Sequence, residues 1–215
     1  YIESQANRIN ELQITMTKIK RICVFSGSSP GRRSSYENAA KELGNELLKH
    51  NIELVYGGGN VGLMGVIADT VIASGGKVIG VIPEFLQKQE VSHVALTELH
   101  IVQSMHERKA MMSELSDAFI AMPGGIGTFE ELLEVMTWQQ LGVQAKPCAL
   151  LNTDNYFDHL IALLEHAVAE EFLKSRHKKM LLVEKNSEHL VKLLFDYKYQ
   201  HTDKWIQQGL GGNQA

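Results

Sequence analysis

Seven short apolar runs alternate along this chain with longer stretches whose apolar residues recur every three or four positions. The runs are Arg21–Phe25 (RICVF), Glu53–Tyr56 (ELVY), Lys77–Ile82 (KVIGVI), Glu98–Val102 (ELHIV), Ala118–Met122 (AFIAM), Cys148–Leu151 (CALL) and Met180–Val183 (MLLV). They are nearly continuous in apolar residues rather than alternating, the pattern of strands buried on both faces of a parallel sheet. Between them the period is helical: Tyr36, Ala39, Ala40, Leu43 and Leu47; Phe129, Leu132, Leu133 and Met136; Phe157, Leu160, Ile161, Leu164 and Val168; Leu190, Leu193, Leu194 and Tyr197. Strand–helix alternation throughout predicts an α/β fold, a doubly wound parallel sheet of about seven strands with helices on both faces.

With 215 residues, 44% of them hydrophobic, the chain is long enough for a substantial core. No internal repeat, low-complexity linker or composition break divides it, which predicts a single Rossmann-like domain over residues 20–200 and a tail over 201–215. Residues 1–19 stand apart as an extension, where Ile9, Leu12, Met16 and Ile19 fit one face of a short helix. The net charge of −4 weighs against a general nucleic-acid binder. No apolar run approaches the roughly 20 residues that span a bilayer, and the first residues hold no uninterrupted apolar leader. The two cysteines cannot make a disulfide framework, so the expected setting is a reducing cytoplasm, with no nucleic-acid or membrane partner.

Glycine, at 18 residues, is ordinary in number but not in place. Ten glycines fall in three loops: Ser26–Gly31 (SGSSPG), Gly57–Gly65 (GGGNVGLMG) and Pro123–Thr128 (PGGIGT). Each follows a predicted strand and precedes a helix, on the sheet edge where open α/β folds bind ligands. Glycine lets backbone N–H groups approach an anion, and the helix N-terminus behind adds partial positive charge. A tight strand-to-helix turn explains one such loop; three on one edge favour a phosphate-bearing nucleotide. Gly57, Gly59 and Gly62 also spell GxGxxG, the dinucleotide fingerprint. That pattern sits on the second strand, with no acidic partner closing the next, so a mononucleotide fits better.

Ser104–Lys109 (SMHERK) follows the fourth strand and opens a helix, with Ser104 and Glu107 at capping-box spacing. Arg108 and Lys109 then lie near that helix's start, where cations oppose the helix dipole. They are either solvated surface charges or groups facing an anionic ligand, and the planar fork of Arg108 suits phosphate or carboxylate. In a sheet ordered 3-2-1-4-5-6, the loops after strands 1 and 4 flank the switch point, so SGSSPG and SMHERK should face each other. After PGGIGT come Glu130 and Glu131. Thr128 and Glu131 also have capping-box spacing, so Glu131 is either a helix cap or a catalyst.

The nine His residues show no metal-ligand spacing, and there is no GxSxG elbow or Walker loop. Neither a metal nor a redox cofactor is expected. Cys23 and Cys148 sit inside predicted buried strands and read as inert thiols. Met111, Met112 and Met136 read as packing.

Taken together, the motifs resemble the LONELY GUY (LOG) family of cytokinin-activating phosphoribohydrolases. The likeness rests on PGGIGTFEE (Pro123–Glu131), GGGNVGLMG (Gly57–Gly65), MHERK (Met105–Lys109), RICVFSGSSPG (Arg21–Gly31) and the later WQQLG and KPCALLN stretches, running from about Lys20 to Phe172. The resemblance implies hydrolysis of the N-glycosidic bond of a nucleoside 5′-monophosphate, giving a free base and ribose 5-phosphate. It implies cytokinin riboside monophosphates, and often AMP, as substrates, a homodimer, and Arg108 with Glu131 as the catalytic pair. Such proteins are often labelled lysine decarboxylases; a pyridoxal-phosphate decarboxylase needs a cofactor lysine in a much larger architecture, and nothing in this sequence marks one.

The residues accommodate that chemistry. Cleavage builds positive charge on the ribose, and an ionised Glu131 near the anomeric carbon would stabilise it or activate water. Arg108 would place the substrate and keep Glu131 ionised. The amides of Gly124, Gly125, Ile126, Gly127 and Thr128 would hold the 5′-phosphate, with Lys109 adding positive charge. Gly27, Ser28, Ser29, Gly58 and Gly59 would contact the nucleotide, with Met105 near the base. Two rivals stand beside this reading: a non-catalytic nucleotide or molybdenum-cofactor carrier of similar fold, and an NAD(P) binder using GGGNVG.

Overall fold

A computed structural model describes residues 19–87, 93 and 95–199 of the chain. The expected helix over residues 1–19 and the tail over 201–215 lie outside the described residues, apart from Ile19, which is buried in the core.

The seven runs are seven strands: β1 (Arg21–Phe25), β2 (Glu53–Tyr56), β3 (Val78–Pro83), β4 (Glu98–Val102), β5 (Ala118–Ala121), β6 (Cys148–Leu151) and β7 (Leu181–Glu184). Four match the sequence reading residue for residue, and the other three differ at their ends by one residue. All pair in parallel in one sheet, in the order β4-β3-β2-β1-β5-β6-β7. The main helices between them are α1 (Ser34–Lys49), α2 (Gly62–Ala73), α4 (Met105–Glu114), α5 (Ile126–Leu141), α6 (Asp158–Ala169) and α8 (Ser187–Asp196). Two single turns, α3 (Glu84–Gln87) and α7 (Ser175–Lys178), complete the order.

Side chains that alternate along each strand feed two separate cores. Ile22, Val24, Leu54, Tyr56 and Ile120 pack under Ala39, Leu43 and Leu47 of α1, Ile67 and Val71 of α2, and Leu190 and Leu194 of α8. Cys23, Phe25, Val55, Phe119, Ala121 and Leu150 face the other way, under Met112 of α4, Leu132 and Val135 of α5, and Phe157. Burial on both faces is why the strand sequences run continuously apolar. The two edge strands depart from that pattern: only Val102 of β4 and only Leu181 of β7 are buried. Each has a neighbour on one side only, which leaves Glu98, His100 and Glu184 partly wet. Among the main helices α6 is the one with none of its residues fully buried.

The strand order corrects one expectation. The fourth strand does not return beside the first; it extends the sheet outward, against β3. The direction of winding reverses between β1 and β5, so the loops that flank the switch point are SGSSPG and PGGIGT. SMHERK leaves the far edge instead, and α4 carries it back across the sheet towards β5.

Candidate active site

All three glycine loops meet at the switch point, and Gly27 joins them. Its N–H donates to the Pro123 carbonyl (3.0 Å), and its carbonyl accepts from the N–H of Leu63 (3.0 Å) and of Met64 (3.4 Å). The first amides of α2 are therefore spent on the first loop rather than left for a ligand. Gly62 makes that contact possible. Its φ is +58°, and a Cβ there would overlap the Ser28 carbonyl carbon and the Ser29 nitrogen, so glycine is required on both counts. Gly58 and Gly59 are buried, with the Gly58 carbonyl accepting from the N–H of His93 (3.4 Å). The second loop thus braces the first, while Ser28 and Ser29 stay exposed at the rim.

The third loop supplies the open amides. Helix α5 begins at Ile126, with Gly125 in extended conformation as its N-cap (φ −96°, ψ −157°). Thr128 is therefore the third residue of the helix and no cap, which overturns the capping reading for Thr128 and Glu131. The glycine cap lets the helix start three residues earlier than the Thr–Glu spacing indicates. The N–H groups of Ile126, Gly127 and Thr128 point out of the first turn with no intrahelical acceptor. Gly125 and Gly127 are exposed, and nothing lies within 4 Å of where a Cβ on either would stand. Thr128 is buried and its hydroxyl fills the space above Gly124. Open amides at a helix start form an anion cradle.

Arg108 reaches this point from the edge of the sheet. Ser104 caps α4, accepting from the N–H of Glu107 (3.2 Å), and the Glu107 carboxylate accepts from the N–H of Gln103 (2.8 Å). Further along α4, the Arg108 Nε–H donates to the Val81 carbonyl (3.2 Å), and Nη2 stands 3.5 Å from Oε1 of Glu131. Both side chains are about nine-tenths buried. Met105 lies against the guanidinium, with its sulfur 3.9 Å from Nη1. Gly57 is what admits the fork, since a Cβ there would overlap Nη2. Lys109 turns to α5, where it pairs with Glu130 and with Glu134 (3.0 Å).

Glu131 differs from expectation in charge. Its carboxyl lies beside Phe25 and Val135, and burial pushes its pKa up to about 7. Arg108 pulls the other way but does not cancel the loss of water. At neutral pH the group is poised between its two forms, the condition for proton work rather than for a static ion pair.

Two features had no signal in the sequence reading. The Ser26 hydroxyl is buried just after β1 without a hydrogen-bond partner among the described residues. The Tyr156 hydroxyl, after β6, donates to the Gly124 carbonyl beneath the anion cradle.

Comparison with known proteins gives this geometry a family. A family model described as "Possible lysine decarboxylase" matches residues 64–194. The chain is 47% identical over 193 residues to the cytokinin riboside 5′-monophosphate phosphoribohydrolase LOG4 of Arabidopsis thaliana, covering 90% of each chain. It is 49% identical over 185 residues to LOG1 of the same plant, covering 86% of this chain and 87% of the relative. A probable enzyme of that name from Oryza sativa subsp. japonica, LOGL9, is 48% identical, covering 86% of this chain and 81% of the relative. Among solved structures, the molybdenum cofactor carrier protein of Chlamydomonas reinhardtii superposes with a TM-score of 0.61 at 22% identity, covering 82% of this chain and 98% of that one. The molybdenum cofactor binding protein of Rippkaea orientalis gives 0.62 at 20% identity, covering 84% and 98%. At that identity the likeness is one of fold.

Proposed function

The chain belongs to the LOG family of cytokinin riboside 5′-monophosphate phosphoribohydrolases, and on that footing we propose that it hydrolyses the N-glycosidic bond of cytokinin riboside 5′-monophosphates, and of AMP, to free base and ribose 5-phosphate. The observation that carries this reading is a buried Arg–carboxylate pair, 3.5 Å apart, at the switch point where an open amide cradle also lies.

The 5′-phosphate sits on the amides of Gly125–Thr128, which fixes one end of the ribose. Ser28 and Ser29 border the nucleotide from the first loop. As the bond to the base lengthens, positive charge grows on the anomeric carbon and ring oxygen. Ionised Glu131 faces that charge and directs a water to the carbon. In a medium of effective dielectric about 20, a carboxylate about 4 Å from a unit charge contributes about 4 kcal/mol. That is about three orders of magnitude in rate. Arg108 steers the anionic substrate and holds the carboxylate in place. The glycosidic electron pair leaves with the base, the water's oxygen bonds to the anomeric carbon and gives up one proton to Glu131, and the base takes up one proton, so that free base and ribose 5-phosphate result.

Incubation with AMP and, separately, with isopentenyladenosine 5′-monophosphate tests the reading by mass spectrometry of released base. Free adenine or free N6-isopentenyladenine with ribose 5-phosphate is expected. Tight retention of an intact nucleotide or cofactor without release would make the protein a carrier and end the hydrolase reading.

Assembly as a homodimer belongs to the same proposal. Leu133 of α5 is exposed and lines a groove with Met136, Leu164 and Leu173, and Leu163 of α6 is exposed as well, which is apolar surface that a second copy would cover. Sedimentation at micromolar concentration should give a species of about 48 kDa, twice the chain's 24.0 kDa; a monomer throughout would refute it. No helix among the described residues is long and apolar enough to cross a membrane. A cytoplasmic setting suits the two buried free thiols, Cys23 and Cys148, whose pKa values burial raises.

A further inference from the structure

We propose that Tyr156 is a positioning residue of the phosphate cradle, its hydroxyl holding the Gly124 carbonyl so that the Gly125 N–H is turned towards the anion. The inference rests on the hydrolase reading of the site but concerns only how the anion end is built.

The peptide between Gly124 and Gly125 is trans and planar, so its C=O and N–H point in opposite directions. The Tyr156 hydroxyl donates to the Gly124 carbonyl. Fixing that oxygen fixes the amide on the other side, at the cap of α5, where Gly125 is exposed and nothing lies within 4 Å of the place a Cβ would take. Glycine on both sides of the bond has no side chain of its own to hold this plane, so an external anchor is needed.

Tyr156 is itself firmly held. Its ring stacks on Phe129 (6.4 Å between centroids) and meets Phe157 (5.0 Å) and Tyr36 (5.9 Å) edge to face. The turn that presents it carries two non-glycine residues at positive φ, Asp154 (+52°) and Asn155 (+61°). The Asn152 side chain locks that turn by accepting from the N–H of Phe157 (2.7 Å) and donating to Asp158 (2.8 Å). Asp154 accepts from the Ser35 hydroxyl (2.5 Å) and pairs with Arg33 (3.4 Å), tying the same turn to the start of α1. One short segment after β6 therefore anchors the chain on both sides of the switch point.

The experiment is Tyr156→Phe, which removes the hydroxyl and keeps the ring. Equilibrium binding of ribose 5-phosphate should weaken about tenfold, and KM for AMP should rise by a similar factor while kcat stays within about twofold. Phe129→Leu is the companion, since it loosens the ring packing but leaves the hydroxyl on Gly124. Unchanged ribose 5-phosphate affinity in Tyr156→Phe overturns the proposal. So does an equal weakening in Phe129→Leu, which would assign the effect to packing. The binding arm needs no turnover, so a wild-type protein that binds ribose 5-phosphate but releases no base sinks the hydrolase reading and leaves the Tyr156 comparison standing.

Discussion

Replacing Glu131 with glutamine should stop turnover and, at alkaline pH, make the protein more stable. The first effect follows from chemistry. An amide has nearly the shape of the acid but carries no charge and takes no proton, so it neither offsets the growing charge on the ribose nor activates water. A loss of about 10²–10⁴ in kcat is the range for removing a positioned acid or base. The second effect follows from linkage. The Glu131 pKa is raised from its ordinary 4.5 to about 7 in the folded protein. Between those values the folded state holds the proton more tightly than the unfolded chain does. Stability from this group is thus fully present below about pH 4.5 and is lost as pH rises through about 7. Glutamine mimics the protonated form at every pH. The variant and the wild type should therefore converge in stability below about pH 4.5, diverge as pH rises from there, and reach their full separation above about pH 7. The gap has a ceiling of about 3 kcal/mol, or roughly 5–10 °C in Tm for a chain of this size. Thermal melts of both proteins at pH 5 and pH 8, with base release measured in parallel, check the two halves together. An active Glu131→Gln protein would return this residue to a structural role. An inactive one that is less stable at pH 8 would show that the ionised carboxylate is needed mainly as a partner for Arg108.

How much of this site the sequence displayed depends on whether the cause was local. Burial on both faces writes itself into consecutive residues, so RICVF, ELVY, ELHIV and CALL read as strands with correct ends. Which strand lies beside which is not local. The placing of ELHIV outside β3 had only a faint signal, the polar pair Glu98 and His100 on what proves to be a half-wet edge. The start of α5 was misread because two rules compete over seven residues, Gly125 to Glu131. Thr128 and Glu131 spell a capping box, yet Gly125 caps the helix first. The charge state of Glu131 was out of reach for a different reason. A cation was visible at Arg108, but the burial that outweighs it needs Phe25 of β1 packed against Val135 of Glu131's own helix, and that packing is not local. Lys109 looked free to meet an anion until α5 brought Glu130 and Glu134 to it. Tyr156 belongs to no glycine loop and acts on a carbonyl 32 residues away. Motifs reported the groups proposed to meet the nucleotide; the groups that shape them needed the fold.

Arg108→Ala should be almost as damaging as the loss of Glu131, and its residual activity should carry a signature in pH. With Arg108 in place, the rate should fall on the acid side with a midpoint near 7, where Glu131 takes up its proton. Arg108 is the main influence drawing that pKa down against burial. Its removal leaves the carboxylate desolvated with less opposing charge, so the midpoint should move to higher pH. At pH 7.5 most of the variant would then hold Glu131 protonated. Loss of steering and loss of the ionised form act together, and kcat/KM should fall by about 10²–10³, the range for removing one charge-stabilising donor. Lysine at this position keeps the charge but not the fork that spans the Val81 carbonyl and Glu131, so only partial recovery is expected. Gly57→Ala reaches the same pair without touching either member. A methyl there would overlap Nη2, the mobile tip of a long side chain, so the chain should still fold while the guanidinium is pushed off its seat. A folded Gly57→Ala protein with activity reduced at least tenfold, and an acid limb displaced in the same direction as in Arg108→Ala, would tie both defects to one contact. An Arg108→Ala protein whose acid limb stays near 7 would separate the arginine from the titration of Glu131 and leave it substrate binding alone.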